Sequence, residues 1–519
     1  MTTAKTPAAA SPDTPQPHPR RWAGLAVLSA SLLLVVMDMT VLNVALPQLS
    51  ADLRPDSVQL LWMVDIYALV VSGLLVTASA LADRFGRRLV LLLGFTVFGL
   101  ASLAVLWANS PAEVIAVRAA LGVGGAMIMP STLSMIRHLF TDPRERATAL
   151  GIWATMAAFG GALGPIVGGA LLEAFSWHAA FLVNVPVMLL AIVAGLFLLP
   201  ETRNPRPGRW DLPGTVLSIV GMVALVYAIK HFGKDGPTDP QTWVPALVAA
   251  VTLSWFARRN LRRPDPMLEL RLFRGPAFTA GVVTALAVSI ALAATMLLLT
   301  QWMQLVQGYG PLETGLRTLP EAVGAAIASP LAPALAHRIG ARTVLAGGLA
   351  LSGLGLLVIW SWPGTLDYWA VAIALGMVGV GLGSLAIASA VIMAGAPPEK
   401  SGSAAAIEET SYEIGGALGV AVLGSVAAAF YRTHLTSEEL AAEGVTGRAA
   451  HVAQESIGGA MDLAHEMGGA GARLAAQARE AFTGSLEWTS VAGGLLMLAA
   501  ALLVWRLTPK DLDLNEVEH

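Results

Sequence analysis

Cysteine is absent from all 519 residues, which excludes disulfides, thiolate-held metals and thiol nucleophiles. Charge is scarce. Asp, Glu, Lys and Arg make up 13% of the chain, against about 25% in an ordinary soluble domain. Lysine is nearly missing, so arginine supplies almost all of the 32 basic side chains. No HExxH helix, phosphate-binding P-loop or nucleophile elbow occurs, which removes the common metalloprotease, nucleotide-driven and hydrolase readings. No enzyme activity, metal, organic cofactor or nucleic-acid partner is therefore expected. What remains is apolar: 55% of the residues are hydrophobic and the mean hydropathy is +0.66. Long apolar runs recur from end to end, many of them the ~20 residues that cross a bilayer. The composition is that of a polytopic helical membrane protein, with the lipid bilayer as its solvent.

Charged and Pro/Gly-rich punctuation divides the chain into fourteen expected spans: 22–47, 58–81, 88–107, 112–136, 146–172, 179–199, 212–231, 243–258, 276–306, 314–336, 343–361, 368–395, 403–430 and 486–507. The eighth is the shortest. The run after Arg20-Arg21 is too long for a signal-peptide core and reads as the first span. With both ends cytoplasmic, inner loops hold 23 basic residues and outer segments 8, the asymmetry of a positive-inside topology. Pro-rich residues 1–21 and residues 508–519 read as cytoplasmic tails, 22–200 as one six-helix bundle, 201–274 as two inserted helices with a linker, and 275–507 as a second six-helix bundle. S-A-L-A-D-R-F-G-R-R (79–88) follows the second span and A-P-A-L-A-H-R-I-G-A-R (332–342) the tenth. That echo suggests parallel repeats, although any short inner loop favours Arg and Gly. The fold class expected is all-α integral membrane: two six-helix pseudo-repeat bundles plus two inserted helices. The long segment 433–484 opens with T436-S-E-E439, a capping-box pattern, and reads as a short external hairpin, either a lid or a merely solvated insertion.

Six acids fall inside spans: Asp38, Asp65, Glu321, Glu408, Glu409 and Glu413. Each costs about 3 kcal/mol at a helix centre, so together they cost roughly 18 kcal/mol if they face lipid. That exceeds the whole stability of many proteins, about 5–15 kcal/mol. They must face a polar cavity, find partners or hold protons, and burial favours the protonated carboxyl. Glu409 and Glu413 share a helix face at four-residue spacing. Arg118, inside the fourth span, is the natural partner for Asp38. Trp62, Tyr67, Trp153, Gln301, Trp302, Gln304 and Tyr412 offer aromatic and amide surface, which with carboxylates suits flat lipophilic cations. Trp62 and Trp302 read equally well as interfacial anchors. Gly160, Gly164, Gly168 and Gly169 let a neighbouring helix approach closely, and Pro165 removes a backbone hydrogen bond.

Several stretches resemble one family. L-A-D-R-F-G-R-R (81–88) looks like the helix 2–3 signature loop of the major facilitator superfamily, and R118-A-A-L-G-V-G-G-A resembles its fourth-helix motif. G160-G-A-L-G-P-I-V-G-G169 matches the antiporter motif at every fixed position. V-M-D-M-T-V-L-N-V-A-L-P (36–47) resembles the first-helix motif of the fourteen-helix drug:proton antiporters. L-W-M-V-D-I-Y-A-L (61–69) and I-E-E-T-S-Y-E-I-G (407–415) are similar to the quaternary-ammonium-compound exporters within that family. The resemblance covers about residues 22–507. It implies an alternating-access, proton-coupled antiporter, a monomer in the plasma membrane that exports hydrophobic cationic drugs. Proton coupling would fall to Asp38, Asp65, Arg118, Glu321, Glu408 and Glu409. Substrate contact would fall to Asp65, Glu321, Glu409, Tyr412, Glu413, Gln301, Gln304, Trp62 and Trp153. Which acid does which stays open. Asp83, Arg84, Gly86 and Arg87 would form a conformational latch, with Asp83 meeting the start of the thirteenth span, and Gly160 to Gly169 with Pro165 a rocker. Ser79 departs from the motif's usual Gly and is expected to loosen packing there; His337 replaces the acid in the second copy. The same fold also serves dedicated exporters of a self-made antibiotic or lipid, and the arginine-rich, Ala/Gly-rich composition suits a GC-rich genome where such exporters are common.

Overall fold

The computed structural model describes residues 19–55, 57–203, 211–235, 240–510 and 512. Most of the two expected tails and residues 204–210 of the expected linker lie outside the described residues. Helix is the only regular structure among the described residues. α1 (Arg21–Leu53), α2 (Ser57–Phe85), α3 (Arg87–Ala104), α4 (Pro111–Leu139) and α5 (Pro143–Ala174) come first. α6 (Ala179–Leu182) and α7 (Asn184–Leu198) follow, together forming the sixth expected span. Next are α8 (Leu212–Asp235), α9 (Pro240–Arg262), α10 (Pro276–Gln301), α11 (Pro311–Arg317), α12 (Leu319–Ile339) and α13 (Ala341–Ser361). α14 (Tyr368–Gly381), α15 (Gly383–Ala394), α16 (Ser401–His434), α17 (Ser437–Ala442), α18 (Arg448–Glu455), α19 (Ile457–Glu466) and α20 (Ala472–Leu507) complete the order.

Local chemistry starts these helices where they start. Ser110 accepts from the Glu113 N–H and Pro111 occupies the first turn of α4. Asp142 does the same for Arg144 ahead of Pro143 in α5, at 2.7 Å, and Asp367 caps α14 on Ala370. These caps satisfy N–H groups that have no intrahelical partner. Gly86 turns between α2 and α3 at φ +121°, a region closed to side chains, and the Glu201 carboxylate fills the space a Cβ would need.

Thirteen helices among the described residues are long and apolar enough to cross a membrane. The eighth expected span is α9, which lies along α8 but falls short of that measure: its apolar stretch is diluted by Thr242, Pro245 and Trp255 and closed by Arg258-Arg259. Two expected single spans are broken. The tenth divides into α11 and α12 at Thr318, where Pro320 follows; the twelfth divides into α14 and α15 at Leu382, between Gly381 and Gly383.

α5 packs along α1 and along α12; α2 packs along α4 and touches α16. The first seven helices build one apolar core, which runs on into Phe278, Ile392, Met393 and Ala404 to Ile407 of the later helices. Another fills the space among α10, α12, α13, α14, α15 and α20. α8 lies against both α2 and α16. Residues 435–484 form α17, α18, α19 and the beginning of α20, more helices than a hairpin has, and they share one apolar core with residues of α10, α13, α14 and α16. α20 has 36 residues, about 54 Å at 1.5 Å per residue, so it outruns the ~30 Å hydrocarbon layer.

Candidate functional site

Asp38, midway along α1, is 2% exposed. Its Oδ2 accepts from Arg118 Nη1 of α4 at 3.0 Å and its Oδ1 from Asn184 Nδ2 of α7 at 2.7 Å. The same Asn184 nitrogen lies 3.2 Å from Ser102 Oγ of α3. Arg118 also donates through Nε to the Met63 carbonyl and sits 4.7 Å from the centre of the Tyr67 ring. Five helices, α1, α2, α3, α4 and α7, thus meet around one buried ion pair, and excess donors surround the carboxylate. Removing its charge leaves Arg118 uncompensated.

Toward the far end of the bundle from Gly86, Asp65 of α2 pairs with Lys230 of α8. Two turns along α2, Ser72 reaches Glu413 Oε2 of α16 at 3.5 Å. One turn nearer the start of α16, Glu409 is fully buried, and neither carboxyl oxygen has a hydrogen-bond partner. Glu408 beside it accepts from Tyr412 at 2.8 Å and from Ser389 of α15 through one oxygen, leaving the other without a partner. Burying such oxygens unpaired is costly, so this cluster is poised to take up protons or cationic groups. Asp65 and Glu413 keep part of their surface exposed; Glu408 and Glu409 keep none.

The remaining expected residues scatter more. Glu321 is buried in the first turn of α12, its backbone against Gly379 of α14. Trp153 is buried in the first core with its indole N–H on Thr132. Trp62 and Gln304 are exposed and Gln301 is half-buried. Trp302 corrects both sequence expectations. It opens a single π-helical turn (Trp302–Val306) at the end of α10, is fully buried, and bonds to Thr483 of α20. It therefore pins the segment 433–484 rather than anchoring an interface or lining a cavity. An open pocket of about 630 Å³ at that end is lined by Arg317 between Tyr309 and Tyr368.

At the Gly86 end the early and late helices are fastened together. Arg87 is buried, holds Asp83 Oδ1 at 2.7 Å and contacts His138. Arg84 reaches the Phe85 ring at 5.9 Å. The Asp83 carboxylate fills the space beside Gly402, which has no side chain, at the start of α16. Ser79 is the second correction: its hydroxyl donates to the Gly402 carbonyl at 2.6 Å, so it tightens this contact where loosening was expected. Ser134 meets Ser401 at 3.3 Å, and Arg137 donates to the Met393 carbonyl. Gly160, Gly164 and Gly168 lie against Leu33, Thr40 and Val41 of α1, while Gly169 faces Leu312 and Pro165 faces Gly315 of α11. α5 runs unbroken through Pro165.

Asn184 and Lys230 were missed by the sequence reading. An Asn among apolar residues at the start of α7 was the available signal for the first; the second sat at the expected end of a span and read as a loop charge.

The family model of the Major Facilitator Superfamily matches residues 28–420. The chain belongs to the Major Facilitator Superfamily. As a superfamily member it is a transporter and not an enzyme, a multi-pass membrane protein of the all-helical transporter fold. Within the superfamily it is 40% identical over 496 residues to the multidrug efflux pump LfrA of Mycolicibacterium smegmatis, covering 95% of this chain and 97% of that one. It is 35% identical over 491 residues to the methyl viologen resistance protein SmvA of Salmonella typhimurium, covering 94% and 98%. The fold is similar to that of the human organic anion transporter MFSD10, with a TM-score of 0.59 at 16% identity, covering 94% of this chain and all of that one.

Proposed function

We propose that this superfamily member is a proton-coupled antiporter that exports hydrophobic cations from the cytoplasm, working as a monomer in the plasma membrane with both termini inside. The observation that carries the reading is the set of acids on α1, α2 and α16, buried or half-buried in apolar helices, with oxygens of Glu408 and Glu409 unpaired. Methyl viologen, which gives one relative its name, is a planar dication, the kind of ligand such carboxylates would hold. The fourteen spans and two-bundle layout expected from the sequence, with α8 and α9 inserted, and the side preference of the arginines support this orientation. The fastenings at the Gly86 end then close the cytoplasmic side.

In this mechanism Asp38 takes up a proton from outside and loosens its hold on Arg118, while Glu408 and Glu409 accept protons or a drug's charge in exchange. Asp65 and Glu413, with exposed surface, meet the cation. The Asp83–Gly402 contact breaks when the inner side opens, and α5 with Pro165 carries the rocking. The test is dye uptake into inverted vesicles, whose cytoplasmic face is outside so that export reads as uptake, with and without an imposed pH gradient, across a panel of chemotypes. Uptake of many cationic dyes that a protonophore abolishes, with ATP held constant, is expected. Gradient-independent uptake overturns the coupling, and transport confined to one chemotype points to a dedicated exporter.

A further inference from the structure

The acids expected to meet substrate already have a cation among them. Lys230 is on α8, close to the end of that helix, and its ammonium pairs with Asp65 of α2. Its charge also acts on Glu413 of α16. α8 is one of the two helices outside the six-plus-six plan, yet it packs against both α2 and α16, so it lies across the line where the early and late helices meet. Lys230 is itself only partly covered, with 30% of its side-chain surface exposed, and Asp65 keeps 17%. A lysine is a compact point charge on a flexible four-carbon stem, able to leave a carboxylate without disturbing its helix.

We propose that Lys230 is a tethered counter-cation that occupies the Asp65 carboxylate when no substrate is bound and is displaced by the substrate's own positive charge. This inference rests on the proposed cation-binding role of the acids. It assigns α8 a role in specificity: a substrate must compete with a resident ammonium. With Lys230 in place the Asp65–Glu413 pair carries one net negative charge. Once the ammonium swings away, both carboxylates are open and a second positive charge on the ligand gains from the second acid. Lys230 thus sets how strongly dications are preferred over monocations.

The test uses the purified full chain in nanodiscs and two dyes with one ring system: ethidium, a monocation, and propidium, which adds a quaternary ammonium. Lys230→Gln should bind propidium about tenfold more tightly and ethidium about threefold, while Lys230→Arg keeps the wild-type ratio. Lys230→Met, an unbranched apolar chain of similar length, replaces the glutamine variant if that fails to purify as a single species. An unchanged propidium-to-ethidium ratio, or weaker binding of both, overturns the proposal. Asp65→Asn separates the two levels. If it weakens both dyes while Lys230→Gln changes nothing, the counter-cation role alone falls. If Asp65→Asn binds both dyes as wild type does, the cation-site reading falls and takes this inference with it.

Discussion

Neutralising Asp38 and neutralising Arg118 should have unequal costs, and the inequality follows from the geometry. Asp38 is 2% exposed and accepts from both Arg118 and Asn184. Breaking a buried ion pair by removing one partner costs about 3–5 kcal/mol, because the other charge is stranded. A guanidinium cannot shed its proton in a protein, so Asp38→Asn strands Arg118, which keeps only the Met63 carbonyl and the face of Tyr67. Asp38→Asn should therefore cost the full ~4 kcal/mol. A carboxyl group has an escape: it binds a proton and buries as a neutral acid, still hydrogen-bonded to Asn184. Arg118→Met should then cost about half as much, roughly 2 kcal/mol. The double variant strands nothing, so its cost should fall below the sum of the singles by about 2 kcal/mol or more. The assay is unfolding of the purified protein titrated with SDS and followed by tryptophan fluorescence, with ethidium export measured in cells expressing each variant equally. All three variants should fail to export, although the double variant is more stable than the sum of the single costs implies. Additive costs, or equal costs for the two single variants, would refute the reasoning.

Glu413→Gln should weaken export of dications by about tenfold and leave monocations within about twofold, read as resistance to a panel of both kinds; uniform loss would make Glu413 a coupling residue. Ser79→Gly, which restores the motif's usual residue, should remove one cross-bundle hydrogen bond worth about 1 kcal/mol. Accessibility of a cysteine placed at Ser401 should then rise about fivefold in a cysteine-free protein, and an unchanged labelling rate contradicts it. Trp302→Ala should cost about 3–5 kcal/mol and expose residues 433–484 to limited proteolysis while the rest of the chain resists. At Asp211, just ahead of α8, burial pushes the carboxyl up, but the hydrogen bond from Arg259, the Gly214 N–H and the charges of Arg263 and Arg259 outweigh it and hold it below its ordinary range. A depressed acid contributes stability above its unfolded value, about 3.9, and loses it as pH falls further. Asp211→Asn should hence destabilise equally at pH 5 and pH 8, the difference from wild type shrinking only below about pH 4.

How far the sequence could be read depended on how local each signal was. Thirteen apolar helices and the Gly86 turn were visible because hydropathy and positive-φ glycine are written within a few residues. Asp38 stood out because an acid in an apolar helix needs a reason, and Arg118 was one of few cations able to supply it. Asn184 and Lys230 were hidden because their partners lie 146 and 165 residues away, and no pattern along the chain links them. Trp302 was misplaced because an interfacial tryptophan and one buried under an appended helix have the same neighbours in sequence. The breaks at Thr318 and Leu382 were overlooked since Pro and Gly are tolerated inside membrane helices. Ser79 was judged by what the motif lacks in it, a hydrogen, when its hydroxyl found a carbonyl across the bundle.

The knot of α17, α18, α19 and the first turns of α20, pinned by Trp302, has a practical use. Most transporters of this kind present imaging with little more than a smooth disc of detergent or lipid. Here an extra group of helices packs on the later helices. An antibody fragment raised against it would add mass to that part of the molecule without touching Asp38, Asp65 or the Gly86 end. Particles could be aligned on the fragment, and the positions of α1 to α7 sorted relative to it, so that each step of the cycle is seen as motion against a fixed marker.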